Sequence, residues 1–126
     1  MAHPVVHFEI MSPDAPKLRE FYAKAFDWNF APSQPATSDG AGDYATVDPL
    51  PGRGISGGIG ATANGYTGHV TFYVYSDDLE ATLQKIESLG GKRMLDPAKV
   101  PNMPIEVALF TDPLGNTVGL VNPGEM

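Results

Sequence analysis

The sequence contains no cysteine, few basic residues and no long apolar segment. Without cysteine, disulfides, thiolate metal sites and a cysteine nucleophile are excluded. Only 8 Lys and Arg residues stand against 15 Asp and Glu, so the formal net charge is -7, and we expect neither nucleic acid nor a membrane surface as a partner. No segment approaches the roughly 18 apolar residues of a membrane-spanning helix, and no secretion signal is visible at the start of the chain. Together these absences predict a cytoplasmic protein.

Enough apolar sequence is present for one folded domain. The chain has 126 residues, of which 42% are hydrophobic, and these fall in patterned runs. Glycine (14) and proline (12) make up about a fifth of the residues, which is typical of a turn-rich fold and lies below the level that indicates disorder.

The first half predicts a strand, a helix and three more strands. Residues 5–10 form the first strand, and from Val6 to Ile10 they alternate between an apolar face and a face that carries His7 and Glu9. Asp14 is a good N-cap for an amphipathic helix that ends near Phe26. Further strands are predicted at 28–30, 44–48 and 55–60, separated by loops rich in Pro, Ser and Gly.

The second half repeats this order. Residues 69–74 alternate, with the apolar face assigned to the even-numbered positions, and Asp77 with Glu80 resembles a capping box at the start of a helix. Gly90 and Gly91 end that helix, and strands are predicted at 92–95, 105–111 and 116–121. We therefore predict a single α+β domain of two βαβββ modules, which span residues 1–63 and 66–126.

Each module carries a histidine at the same place in its first strand. His7 and His69 are 62 residues apart, and both lie on the polar face of an alternating strand. Because duplicated modules tend to pack about a pseudo-twofold axis, the two side chains are expected to approach each other in a shared cavity.

Short stretches in both halves of the sequence resemble a known family. The matching stretches are His7–Ile10, Asp14, Phe21–Tyr22 and Phe26–Trp28 in the first half, and Gly68–Val70, Asp77–Leu79, Leu89–Gly91 and Phe110–Asn116 in the second. They resemble the vicinal oxygen chelate superfamily, which includes glyoxalase, bleomycin-resistance proteins and extradiol dioxygenases. The resemblance implies paired βαβββ modules whose curled mixed sheets form a cavity, and it implies a homodimer.

The resemblance also implies a metal site, with His or Glu on the first and fourth strand of each module. His7 and His69 match the first-strand positions, but the fourth-strand positions fall at about Gly58 and Gly119, which offer no ligand. Glu9 would complete a two-histidine, one-carboxylate set. We favour a cavity without a metal, and a weakly bound divalent metal of unknown identity is the alternative.

The candidate site follows from the same strands. The catalytic candidates are His7, Glu9 and His69, with Glu9 as a general base or, slightly favoured, a solvated carboxylate at the rim. The candidates for contact with a small-molecule ligand are Thr71, Tyr73, Arg53 and Glu106.

Three functions remain open. The first is an enzyme, a lyase or isomerase that moves a proton on a small oxygenated molecule. The second is a non-catalytic protein that sequesters a drug or metabolite, for which the acidic balance favours a cationic ligand. The third is a metal-dependent enzyme of the glyoxalase or dioxygenase kind, which would need a full set of ligands.

Overall fold

The computed structural model describes residues 2–32, 43–48, 54–62, 66–100 and 104–123. Along the chain the elements are β1 (Val5–Ser12), α1 (Ala15–Phe26), β2 (Tyr44–Val47), β3 (Ser56–Ala61), β4 (His69–Tyr75), α2 (Leu79–Ser88), β5 (Lys92–Lys99), β6 (Glu106–Thr111) and β7 (Thr117–Asn122). Within the described ranges no helix is long and apolar enough to cross a membrane.

The residues cluster into two compact units. The first unit, His7–Val70, holds most of β1 together with α1, β2 and β3. Strand β3 lies in the middle, parallel to β1 and antiparallel to β2. The buried hydrophobic side chains of this unit are those of Ala15, Ala45, Val47 and Ile59. This arrangement sets β1, with its polar side chains, beside the glycine-rich strand β3.

The second unit consists of Met1–Val6 and Thr71–Met126. In it β7 runs parallel to β4 and antiparallel to β6, and β6 pairs with β5. Helix α2 packs on this sheet, with Leu79, Leu83, Ala108 and Leu120 as the buried core. Burial of such apolar side chains provides most of the driving force for folding.

The α+β class is confirmed, and so is the strand–helix–three-strand order of the second half. The strand predicted at 28–30 is wrong, because those residues have no regular structure. Instead the ring of Trp28 packs among other aromatic rings, at 5.7 Å from Tyr22 and 5.4 Å from Phe8. Over the described residues the first half is therefore βαββ. Each unit has a mixed sheet, and the curled sheets of the prediction are not confirmed.

The helix ends follow capping chemistry, with one correction. Asp14 caps α1 as predicted, since its Oδ1 accepts from the amide of Lys17 at 3.2 Å. Helix α2 is capped by Asp78 rather than by the predicted Asp77, because it is the Asp78 carboxylate that accepts from the amide of Ala81 at 3.0 Å.

The exposed face of β4 also differs from the prediction. Val70 and Phe72, assigned to the apolar packing face, are 76% and 42% exposed, whereas Thr71 and Tyr73 on the other face are 6% and 8% exposed. Thr71 and Tyr73 are buried because they contact β7: the Thr71 hydroxyl bonds the carbonyl of Thr117, and the Tyr73 ring lies against Gly119.

Candidate functional site

A chain of three polar side chains runs through the first unit. Glu9 is only 9% exposed, and its Oε2 lies 2.7 Å from Nε2 of His69. On the other side of that ring, Nδ1 of His69 lies 2.8 Å from the hydroxyl of Tyr66. When Nε2–H donates to the carboxylate, Nδ1 of a neutral imidazole accepts from the tyrosine. Both ring nitrogens are engaged, so the orientation of His69 is fixed.

Backbone geometry explains how this chain of contacts is assembled. Alternation along β1 puts the side chains of His7 and Glu9 on one face of the strand. Before His69 the chain turns at Gly68, which has φ +104° and lies directly against the carbonyl of Met11. Because only glycine adopts this conformation at such a close approach, the turn at Gly68 places His69 beside β1.

His7 forms a second polar pair, with Tyr44 of β2. Its Nε2 lies 2.9 Å from the Tyr44 hydroxyl. Burial lowers the pKa of His7 from its usual value of 6.5, and the nearby charge of Glu9 opposes this shift without cancelling it. His7 is therefore a neutral imidazole at pH 7, which can accept or donate a hydrogen bond.

The lowered pKa of His7 predicts a pH-dependent stability. Between the native pKa and the unfolded value of 6.5, the unfolded chain binds more protons than the native one, so stability falls as the pH drops through this window. We expect urea midpoints to fall on going from pH 7.5 towards pH 5.5, and to fall less in His7→Gln. Equal pH dependence of the two proteins would show that His7 is not the group responsible.

The other predicted site residues lie in the second unit or outside the described ranges. Thr71 is buried and donates its hydroxyl to the carbonyl of Thr117 at 2.6 Å. Tyr73 is buried with its ring over Gly119. Glu106 begins β6, three residues before the partner of Gly119, and Arg53 falls outside the described residues. A role for these four residues in ligand binding stays a prediction.

The residues present do not fit the metal centre that the resemblance implies. In the part of the chain that the structure describes, no group of three or more His, Cys, Asp or Glu side chains is placed to hold a metal. His7, Glu9 and His69 are thus not placed as a ligand set, and Glu9 and His69 are instead hydrogen-bonded to each other. At Gly58 a Cβ would overlap the ring and hydroxyl of Tyr44, so the position cannot hold a ligand unless that ring moves.

Two residues of the site, Tyr44 and Tyr66, were not predicted from the sequence. Tyr44 reaches His7 through tertiary structure, from a short strand 37 residues away, whereas Tyr66 lies only three residues before His69 and makes a local contact. A weak indication of Tyr44 was present, because glycines inside a strand often mark the close approach of another group.

A family model gives the class of protein. The model described as "Glyoxalase/Bleomycin resistance protein/Dioxygenase superfamily" matches residues 5–120. The chain therefore belongs to this superfamily.

Several known proteins are similar to this chain. Methylmalonyl-CoA epimerase from Mycobacterium tuberculosis has 16% identity and a TM-score of 0.69, over 96% of this chain and 88% of that one. A hypothetical protein from Bacillus halodurans C-125 has 11% identity and a TM-score of 0.75, over 100% and 98%. At these identities the likeness concerns the fold alone. The anthracycline biosynthesis protein DnrV of Streptomyces peucetius is 26% identical over 94% of this chain, which spans 46% of that relative's length.

Proposed function

We propose that this protein binds a small oxygenated molecule and moves a proton on it, as an isomerase or lyase. The observation that carries the proposal is the buried Glu9 carboxylate, held 2.7 Å from His69 in a chain that continues to Tyr66. A carboxylate fixed in this way can serve as a general base. Methylmalonyl-CoA epimerases, which share the fold, are named for an isomerisation.

In the proposed reaction Glu9 takes a proton from a carbon next to a carbonyl group. The C–H bond breaks, its electron pair moves towards the carbonyl oxygen, and the proton goes to the carboxylate. Return of the proton to the carbon gives an isomer, whereas departure of a leaving group from the next carbon gives the product of a lyase. His69 orients the carboxylate, and Tyr66 fixes the tautomer of His69.

Charge narrows the proposed substrate class. The chain has a net charge of -7, which disfavours a ligand with several phosphates through long-range repulsion. Three of the described cations are already paired with carboxylates: Arg19 with Asp43, Lys24 with Glu20, and Arg93 with a group of three. We therefore propose a neutral or cationic carbonyl compound rather than a coenzyme A thioester.

Proton exchange tests the proposal without knowledge of the product. Acetylacetone, a neutral dicarbonyl, and methylmalonyl-CoA would each be incubated with the protein in D2O, and loss of the proton next to the carbonyl followed by NMR. Each rate is compared with the rate of the same compound without protein, and we expect the protein to accelerate the exchange of acetylacetone more than that of methylmalonyl-CoA. Glu9→Gln should slow the protein-dependent rate by about 10³-fold, within the usual range for a general base.

The matched control is Glu20→Gln, the same change at an exposed carboxylate that pairs with Lys24 on α1. It should leave the exchange rate unchanged. If Glu9→Gln and Glu20→Gln exchange at the same rate, Glu9 is not the base. If neither compound exchanges faster with protein than without it, the proposed substrate class is wrong.

A second candidate function is sequestration of a cationic molecule without chemistry. The net charge of -7 favours it, and part of the superfamily is named for bleomycin resistance. Titration with bleomycin and with daunorubicin, both cationic, would be followed by fluorescence. Micromolar binding without any proton exchange supports this candidate, and absence of binding removes it.

A further inference from the structure

Three strand glycines lie beneath tyrosine rings, and two of them, Gly58 and Gly119, are at the positions where the superfamily resemblance places metal ligands. In the first unit Gly58 pairs with Glu9 across β1 and β3. The ring of Tyr44 covers both Gly58 and Gly60, and a Cβ on either glycine would overlap it. No other residue type fits beneath this ring, so Tyr44 and its two glycines form a matched set.

The second unit repeats the arrangement with different strands. Tyr73 of β4 lies opposite Gly119 of β7, and a Cβ on Gly119 would stand 2.5 Å from two carbons of the Tyr73 ring. The ring is 8% exposed. A tyrosine ring thus covers a strand glycine in each module, but the two positions are not equivalent. Tyr73 corresponds to Met11, which pairs with Gly60, so the counterpart of Gly119 in the first module is Gly60, which Tyr44 also covers.

Tyr44 adds a polar contact that a filler alone would not provide. Its hydroxyl lies 2.9 Å from Nε2 of His7, the histidine that the resemblance assigns to the metal. A hydroxyl at this distance hydrogen-bonds the nitrogen that an ion would otherwise coordinate. We propose that Tyr44 replaces the metal at this position, its ring occupying the ligand slot at Gly58 and its hydroxyl taking the place of the ion at His7.

This substitution can be tested with Ni²⁺ alone, titrated into untagged, chelator-treated protein by calorimetry. Wild type and Tyr44→Phe, which keeps the ring, should bind no Ni²⁺ that depends on His7. The double variant Tyr44→Ala/Gly58→Glu opens the slot and supplies a ligand. Its Ni²⁺ affinity should therefore be about 100-fold higher than that of wild type, and this gain should be lost on adding His7→Ala.

Two results of the titration would overturn the proposal. One is stoichiometric Ni²⁺ binding by wild type that is lost in His7→Ala. The other is a double variant that is folded by circular dichroism yet binds Ni²⁺ no better than wild type, because the ring of Tyr44 would then not be what closes the slot.

A second measurement holds even where the double variant does not fold. The ¹⁵N resonances of the His7 ring would be compared in wild type, Tyr44→Phe and, as matched control, Tyr75→Phe. We expect the Nε2 resonance of His7 to move in Tyr44→Phe, which removes only the hydroxyl, and to stay in place in Tyr75→Phe. An unmoved resonance in Tyr44→Phe would contradict the proposed bond and overturn the assignment.

Discussion

Replacing His69 with alanine is expected to lower the free energy of unfolding by about 3 kcal/mol, because the change leaves a carboxylate in a buried place without its imidazole partner. The side chains of His69 and Glu9 are only 10% and 11% exposed and lie 2.7 Å apart. A pair on the surface would contribute far less, since water screens it.

Urea unfolding followed by circular dichroism measures this loss. The control is His3→Ala, at an exposed histidine that contacts the carbonyl of Tyr75, and it should cost about 0.5 kcal/mol or less. If His69→Ala costs no more than His3→Ala, the pair with Glu9 does not stabilise the fold.

A double-mutant cycle separates the energy of the interaction between Glu9 and His69 from the cost of changing each side chain alone. Glu9→Gln keeps an oxygen that can accept from Nε2 of His69 but removes the charge, so we expect a cost of about 1 kcal/mol. In the His69→Ala background the same change should cost less, or stabilise, because a neutral amide is easier to bury than a carboxylate. Additive effects would mean that the two side chains act independently.

Much of the fold could be predicted because its elements show regular periodicity. The alternation in β1 and the spacing of apolar residues in α2 are local features, and the structure has both elements. The strand predicted at 28–30 failed for a physical reason, since two aromatic residues, one on either side of Asn29, fit a strand and an aromatic cluster equally well. Only tertiary contact with Tyr22 and Phe8 distinguishes them.

Part of the candidate site was also predictable, and part was not. Alternation placed His7 and Glu9 on one face of β1, but it favoured a solvated Glu9, whereas the structure buries this carboxylate against His69. The burial depends on the turn at Gly68, which joins residues 60 positions apart. Pairing of the two chains in a homodimer and a cytoplasmic location stay predictions.

Replacing Gly68 with alanine is expected to have the largest effect of any change near the site, a loss of about 4 kcal/mol. Gly68 has φ +104°, which strains any L-residue, and a Cβ there would overlap the backbone carbonyl of Met11. Strain alone costs about 1–3 kcal/mol, and overlap with backbone adds about 1–3 kcal/mol because no side chain can rotate away.

Gly115→Ala separates the cost of backbone strain from the cost of overlap with a neighbouring carbonyl. Gly115 has φ +91° in the turn between β6 and β7, and a Cβ there would have nothing within 4 Å. It should therefore show the strain alone, about 1–2 kcal/mol in urea unfolding. Equal losses for Gly68→Ala and Gly115→Ala would mean that contact with Met11 is unimportant. A larger loss at Gly68, with a changed His69 ring spectrum in whatever native protein remains, would show that this glycine holds His69 against Glu9.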